Sequence, residues 1–320
     1  MKLVVAFFRL IRWPNLVFIA LTQYLFYSCI VNPVTWKDTV NWPAISTEYF
    51  WLLSFSSVLI AAGGYIINDY FDLNIDRINK PDKLVIGKII SRRWAMLWHV
   101  VISLAGILIG LYVGVKIFHS KKWLIGLADL ICVILLITYS TTFKKKLLIG
   151  NIIISLLTAW VVFIITVVLK QIPNPINLSE SIVPYKDYLR IYKFTVLYAG
   201  FAFIISLVRE VIKDIEDVEG DEKYNCKTMP VVWGIPVSKV FAGVWIIVLV
   251  GALAIIQFYV LQEGWWLSSF YSFLVVILPL IFILKRLYEA QTTKQYHQLS
   301  SAVKLVMLAG ILSMIFLRLV

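Results

Sequence analysis

Long apolar runs separated by short polar stretches make up most of this chain. A helix that crosses a bilayer needs roughly 20 mostly apolar residues. Nine runs approach that length, at about 15–32, 49–67, 94–115, 123–139, 152–169, 194–209, 240–261, 265–285 and 302–319. The apolar residues within them are continuous and do not alternate, as barrel strands would require. Helices also satisfy their own backbone groups, which lipid cannot do. The pattern therefore predicts an all-α integral membrane protein, a bundle of nine transmembrane helices forming one polytopic domain over residues 1–320. Ahead of the first run, Phe7-Phe8-Arg9-Leu10-Ile11-Arg12-Trp13-Pro14-Asn15 reads as an interfacial helix stopped by Pro14. The loop 170–193, with Pro173, Pro175 and Pro184, reads as an extracytoplasmic connection. No small-residue cleavage site follows the first apolar residues, so no removable signal peptide is expected.

Composition sharpens this picture. The chain is 61% hydrophobic and 15% charged, whereas about a quarter of a soluble domain is charged. A soluble fold is excluded. The net charge of +12 points to membrane topology and anionic lipid before nucleic acid. With the N-terminus in the cytoplasm, the cytoplasmic segments hold 21 of the 30 lysines and arginines. That bias predicts an N-in/C-out arrangement in the inner or plasma membrane. Cys29, Cys132 and Cys226 lack paired spacing, which argues against a disulfide framework and a zinc site. His99, His119 and His297 are unclustered, and none is read as a ligand.

Against this apolar background, 11 of the 18 acidic residues fall in two short windows, 68–82 and 209–222. The orientation above places both on the cytoplasmic side. On a helix, Asn68, Asp72 and Asp76 (i, i+4, i+8) line one face. Glu210, Asp214, Asp217 and Asp221 (i, i+4, i+7, i+11) also share a face, with directions within roughly 60°. Glu216, Glu219 and Glu222 point elsewhere and are read as solvated. Stacked carboxylates repel, so helix stability does not explain them. A divalent cation between them does, and an all-oxygen set of Asp and Asn suits magnesium. Basic residues are interleaved: Arg77, Lys80 and Lys83 in the first window, Arg209 and Lys213 in the second. Metal with Lys and Arg can hold a diphosphate and stabilise its charge as it departs.

At these residues the chain resembles the UbiA-type intramembrane prenyltransferase superfamily. Asn68-Asp69-x-x-Asp72-x-x-x-Asp76 matches the family's N-D-x-x-D-x-x-x-D motif, and Arg77-Ile78-Asn79-Lys80-Pro81 is similar to the family's stretch after that motif. Asp217-x-x-x-Asp221 matches the second motif, with Glu210 upstream, and Lys227-Thr228-Met229-Pro230 looks like the lead-in to the family's seventh helix. The family's Tyr-x-x-x-Lys element is matched from Tyr139 with one extra residue before Lys144, so Lys144, Lys145 and Lys146 are alternatives.

The resemblance implies a membrane-embedded enzyme that moves a polyprenyl group from a polyprenyl diphosphate to a lipophilic acceptor, with its cavity on the cytoplasmic side and magnesium as cofactor. It implies that Asn68, Asp72, Asp217 and Asp221 hold magnesium. Asp72, Asp76, Asp217, Asp221, Tyr139 and Lys144 would form the catalytic group, and Asn68, Arg77, Lys145, Arg209 and Lys213 would bind substrate. The run Arg209–Asp221 and Gly150-Asn151 look most like the branch that prenylates geranylgeranylglyceryl phosphate. The branches that prenylate an aromatic quinone precursor share the metal motifs and remain the alternative acceptor class. Neither nucleic acid nor an obligatory protein partner is implied. A transporter would hold its charges near mid-membrane, and a scaffold would need no helical facing of its acids. Two intramembrane polar residues are left over: Asp129, read as facing the bundle, and Gln23, read as an interhelical hydrogen bond.

Overall fold

The computed structural model describes residues 2–35, 45–79, 81–172 and 183–317. Among the described residues there is no strand, and nine helices are long and apolar enough to cross a membrane. A short helix α1 (Lys2–Leu10) comes first. The spans are α2 (Trp13–Thr35), α3 (Thr47–Asn79), α4 (Arg92–Ile117), α5 (Leu124–Thr141), α6 (Ile149–Gln171), α7 (Tyr185–Glu216), α9 (Met229–Gln262), α10 (Trp266–Glu289) and α11 (Thr293–Leu317). Between α7 and α9 lies the short helix α8 (Val218–Lys223). Lys37, Lys80, Pro173, Pro175, Arg318 and the side chain of Lys83 lie outside what is described.

Each predicted run is matched by a helix, and most of the helices extend beyond the apolar core. The reason is local. From Thr47 to Asn79 there is no proline, so α3 carries its helical geometry through the first acidic window and ends just before Pro81. Ser91 caps α4 by accepting the Trp94 N–H at 3.4 Å. Thr292 and Gln295 form a capping box that starts α11 well before its apolar part. One expectation is corrected. Pro14 does not stop the N-terminal helix; it sits in the first turn of α2, where its missing N–H is harmless. The break comes earlier, at Arg12, whose backbone is left-handed (φ 51°).

The chain divides into two compact units, Met1–Phe143 with Val161–Val196, and Lys144–Trp160 with Leu197–Val320. In the first, small residues let helices approach closely and polar side chains bond across them, as membrane packing favours. A methyl group at Gly110 would collide with the Asp129 carboxylate. Asp129 is buried, 2.6 Å from the Ser56 hydroxyl, which also lies 2.9 Å from the Gly106 carbonyl. Gln23 donates to Ser57 and to the Val161 carbonyl, both at 3.1 Å. His99 is buried with Nδ1 2.9 Å from the Gly63 carbonyl. Asp129 and Gln23 thus both serve interhelical hydrogen bonds, and His99 contacts the backbone of α3. The α1 residues Ala6 and Leu10 bury against Ile66, Leu73, Ile86 and Ala95, which anchors α1 beside the lower half of α3.

The second unit has an aliphatic core that includes Ile205, Val211, Ile212, Leu280, Leu287 and Val303. Helix α9 breaks at Gly234, whose φ of 82° suits glycine alone, and Pro236 follows. Lys239, buried just beyond the break, donates to the carbonyls of Tyr288 and Ala290 at the end of α10. A cation there satisfies carbonyls left open by the helix end and opposes its dipole.

Candidate active site

In the first unit, the site residues sit on the last three turns of α3. Asn68 Nδ2 donates to Asp72 Oδ2 at 2.7 Å, so the predicted i, i+4 facing is realised as a contact. The other amide atom, Asn68 Oδ1, is buried and has no hydrogen-bond partner. Asp72 and Asp76 are half-buried and Arg77 is exposed. Asp69, the intervening acid of the motif, does not share their face. It pairs with Arg12 at 2.6 Å, and the Arg12 guanidinium lies 5.3 Å from the Tyr65 ring centre. The Asp69 carboxylate raises the Arg12 pKa above its ordinary value and keeps the guanidinium charged. Arg92 stacks over Tyr70 at 4.5 Å. Tyr139 is half-buried in the last turn of α5.

In the second unit the acids do not form one uninterrupted face. Helix α7 ends at Glu216, and Asp217 takes bridge-region angles (φ −97°, ψ 7°) before α8 begins. This corrects the expectation of a single helix through Asp221. The backbone bonds still step across the break, from Asp217 N–H to the Lys213 carbonyl (2.9 Å) and from Asp221 N–H to the Asp217 carbonyl (3.1 Å). Each acid then acquires its own surroundings. Glu210 takes Lys213 at 2.9 Å and Arg209 at 3.1 Å, so the two predicted diphosphate cations are already paired with a carboxylate. Asp214 accepts from Asn151 at 2.7 Å. Asp221, buried, accepts from the Thr228 hydroxyl at 3.1 Å. Asp217 is half-buried.

Glu216 was expected in solvent. Its side chain is only 8% exposed and bonds His297 Nδ1 at 2.9 Å. Glu219 and Glu222 are exposed, as expected. Of the three lysines, Lys144 buries its Nζ, whereas Lys145 and Lys146 are exposed. The Lys145 carbonyl accepts the Lys227 N–H at 2.8 Å, tying this basic turn to the segment after α8. Cys226 lies buried in that segment. Burial, then the Asp221 carboxylate, push its thiol pKa up, while Lys145 and Lys144 oppose the shift. Sequence reasoning missed Arg12, Thr228 and the Glu216–His297 pair. Of these, only Thr228 lay in a family motif.

The side chains that the resemblance assigns to a metal all offer oxygens, which suit a hard divalent cation, and one of these oxygens, Asn68 Oδ1, is buried and unpartnered. Among the described residues no three His, Cys, Asp or Glu side chains form a ready metal cage. Magnesium prefers oxygen ligands and usually takes one or two carboxylates, completing its shell with waters and substrate phosphate oxygens. Zinc, which favours closed tetrahedral sites of Cys and His, does not fit.

The sequence profile of the UbiA prenyltransferase family matches residues 30–308. The chain belongs to this family. It is an integral membrane prenyltransferase. The digeranylgeranylglyceryl phosphate synthase of Methanosphaera stadtmanae is similar, 27% identical over 83% of this chain and 87% of that protein. A solved structure concerned with digeranylgeranylglyceryl phosphate synthase in membranes aligns with a TM-score of 0.60 at 23% identity, covering 98% of this chain and 99% of that one. A UbiA homologue from Archaeoglobus fulgidus, solved with GPP and Mg2+, aligns with a TM-score of 0.57 at 16% identity, covering 97% and 99%. Both solved structures share the fold of this UbiA chain.

Proposed function

We propose that this UbiA-family enzyme transfers a geranylgeranyl group from geranylgeranyl diphosphate to geranylgeranylglyceryl phosphate, a step of ether-lipid synthesis. The observation that carries the acceptor is the similarity to a digeranylgeranylglyceryl phosphate synthase across most of both chains. The donor class is supported by the paired acidic windows and by the homologue solved with GPP and Mg2+. Asn68 and Asp72 from α3, and Asp217 and Asp221 around α8, are the magnesium ligands in this reading, with Asp76 in support. Magnesium, when bound, supplies positive charge to the oxygens of the departing diphosphate.

The chain's own residues do the rest. Arg77, Lys144 and Lys145 offer cations to the diphosphate, and Arg209 and Lys213 join them by shifting from Glu210. Allylic C–O cleavage leaves a carbocation that must be kept from water, and apolar helix walls do this. The acceptor oxygen then attacks the allylic carbon and loses its proton. Tyr139 and Lys144 are the nearest matches to the family's Tyr-x-x-x-Lys element and belong to this reacting group. The excess of Lys and Arg in alternate connections supports an N-in, C-out orientation with the site facing the cytoplasm.

A paired acceptor assay on purified protein with magnesium and geranylgeranyl diphosphate tests this. Product is expected with geranylgeranylglyceryl phosphate and not with hydroxybenzoate, dihydroxynaphthoate or homogentisate. Product with an aromatic acceptor alone would overturn the ether-lipid assignment and keep the prenyltransferase.

A further inference from the structure

Thr228 occupies the N-cap of α9, with the extended backbone that position requires (φ −71°, ψ 163°), yet its hydroxyl makes no capping bond. A threonine here ordinarily accepts from the N–H two or three residues on. Two residues on is Pro230, which has no N–H to give. The hydroxyl turns the other way and donates to Asp221 Oδ2 at 3.1 Å. Both residues are buried, Thr228 at 4% and Asp221 at 9% exposure. The chain between them is fixed by backbone bonds. Asn225 turns it through a left-handed conformation (φ 52°), Cys226 N–H bonds the Asp221 carbonyl at 2.9 Å, and Lys227 N–H bonds the Lys145 carbonyl at 2.8 Å.

We infer that Thr228 is a positioning residue for the magnesium site: its hydroxyl sets the rotation of the Asp221 carboxylate, within a segment that also anchors the turn carrying Lys144 and Lys145. This rests on Asp221 being a magnesium ligand. A carboxylate has about four acceptor positions, so one bond from Thr228 leaves capacity for a metal. Groups that orient a metal ligand in this way typically change metal affinity by about 10–100-fold when removed. Thr228 has no part in the chemistry itself.

The test is binding of Mn2+, as a paramagnetic substitute for magnesium, to purified full-length protein in the presence of inorganic diphosphate, followed by electron paramagnetic resonance. Thr228→Val should weaken Mn2+ binding by about 10–100-fold. Thr228→Ser, which restores the hydroxyl, should bind within about twofold of the unaltered protein, a rescue that loss of packing alone does not predict. Should Thr228→Val not be recovered folded from detergent, Thr228→Ala removes the same hydroxyl without adding bulk. Unaltered Mn2+ binding in the hydroxyl-free variants, alongside loss in Asp221→Ala, would overturn the role of Thr228 and leave the metal site standing. Equal loss in the serine and valine variants would also overturn it, because the hydroxyl is then not the agent. Full Mn2+ binding by Asp221→Ala would remove the metal assignment, and this inference with it.

Discussion

The two acidic regions reach their geometry by different means. In the first unit, one uninterrupted helix does the work. The α3 backbone sets Asn68, Asp72 and Asp76 on a common face, and Arg12, from outside that helix, pairs with Asp69. In the second unit the helix breaks at Asp217, and side chains from elsewhere orient the acids. Asn151 holds Asp214, Thr228 holds Asp221 and His297 holds Glu216. A regular helix presents ligands through backbone geometry that single substitutions hardly disturb. A broken helix depends on its partners. Changes to supporting residues should therefore be felt more in the second unit than in the first, whereas changes to the acids themselves should be felt alike.

The largest effects test that last equality. Asp72→Ala and Asp217→Ala each remove a carboxylate that the proposed reaction assigns to the departing diphosphate. Each should lower turnover by at least about 10²–10³-fold, comparable to losing a principal electrostatic stabiliser. Steady-state rates of diphosphate release, on protein shown by size exclusion to be folded, measure this. If one variant kept its activity, the two regions would not share a role and the comparison would fail.

Support residues come next. Asn151→Leu leaves the Asp214 carboxyl without its amide donor inside the second unit. Asn151 is buried and Asp214 half-buried, and loss of a hydrogen-bond partner in such surroundings costs about 1–3 kcal/mol, expected as a lower thermal midpoint in detergent. The matching change in the first unit is Arg12→Ala. Its guanidinium is 37% exposed and Asp69 is 22% exposed, and solvated pairs of this kind contribute about 0–1 kcal/mol. A midpoint shift in Arg12→Ala larger than in Asn151→Leu would reverse the contrast between the two units.

The same contrast explains what could be read in advance. The spans were visible because each carries enough consecutive apolar residues to outweigh any local ambiguity. The face of Asn68, Asp72 and Asp76 was visible because nothing between Thr47 and Asn79 interrupts a helix. The break at Asp217 was not, since no proline or glycine marks that position. Nor were the partners of the acids. Asp214 and Asn151 are 63 residues apart, Glu216 and His297 81, and Arg12 and Asp69 57. Such pairs follow from which helix faces pack together, and local periodicity holds no information on that. Glu216 shows the consequence. By spacing it points away from the other acids, which suggested solvent, but the space it points into is filled by α11.

The smallest expected effect is the most local. Burial and the Asp221 carboxylate raise the Cys226 thiol pKa, and Lys145 and Lys144 partly offset them. The reactive form is the thiolate. A raised pKa means less thiolate at neutral pH, so alkylation of Cys226 by iodoacetamide should be slow at pH 7.5 and climb as pH rises. Asp221→Asn removes a neighbouring negative charge, which lowers the thiol pKa and should speed labelling at pH 7.5 by a few-fold. Lys145→Ala removes a favourable cation and should slow it. Mass spectrometry of the Cys226 peptide, against the Cys29 and Cys132 peptides as internal references, reads both changes. Opposite signs in the two variants would mean that Asp221 and the basic turn bear on one small volume of the second unit, as expected where side chains rather than a helix hold the acids in place. Equal rates would mean that the thiol responds to burial alone, and that the charges around Asp221 are more widely spread than the hydrogen bonds of this segment suggest.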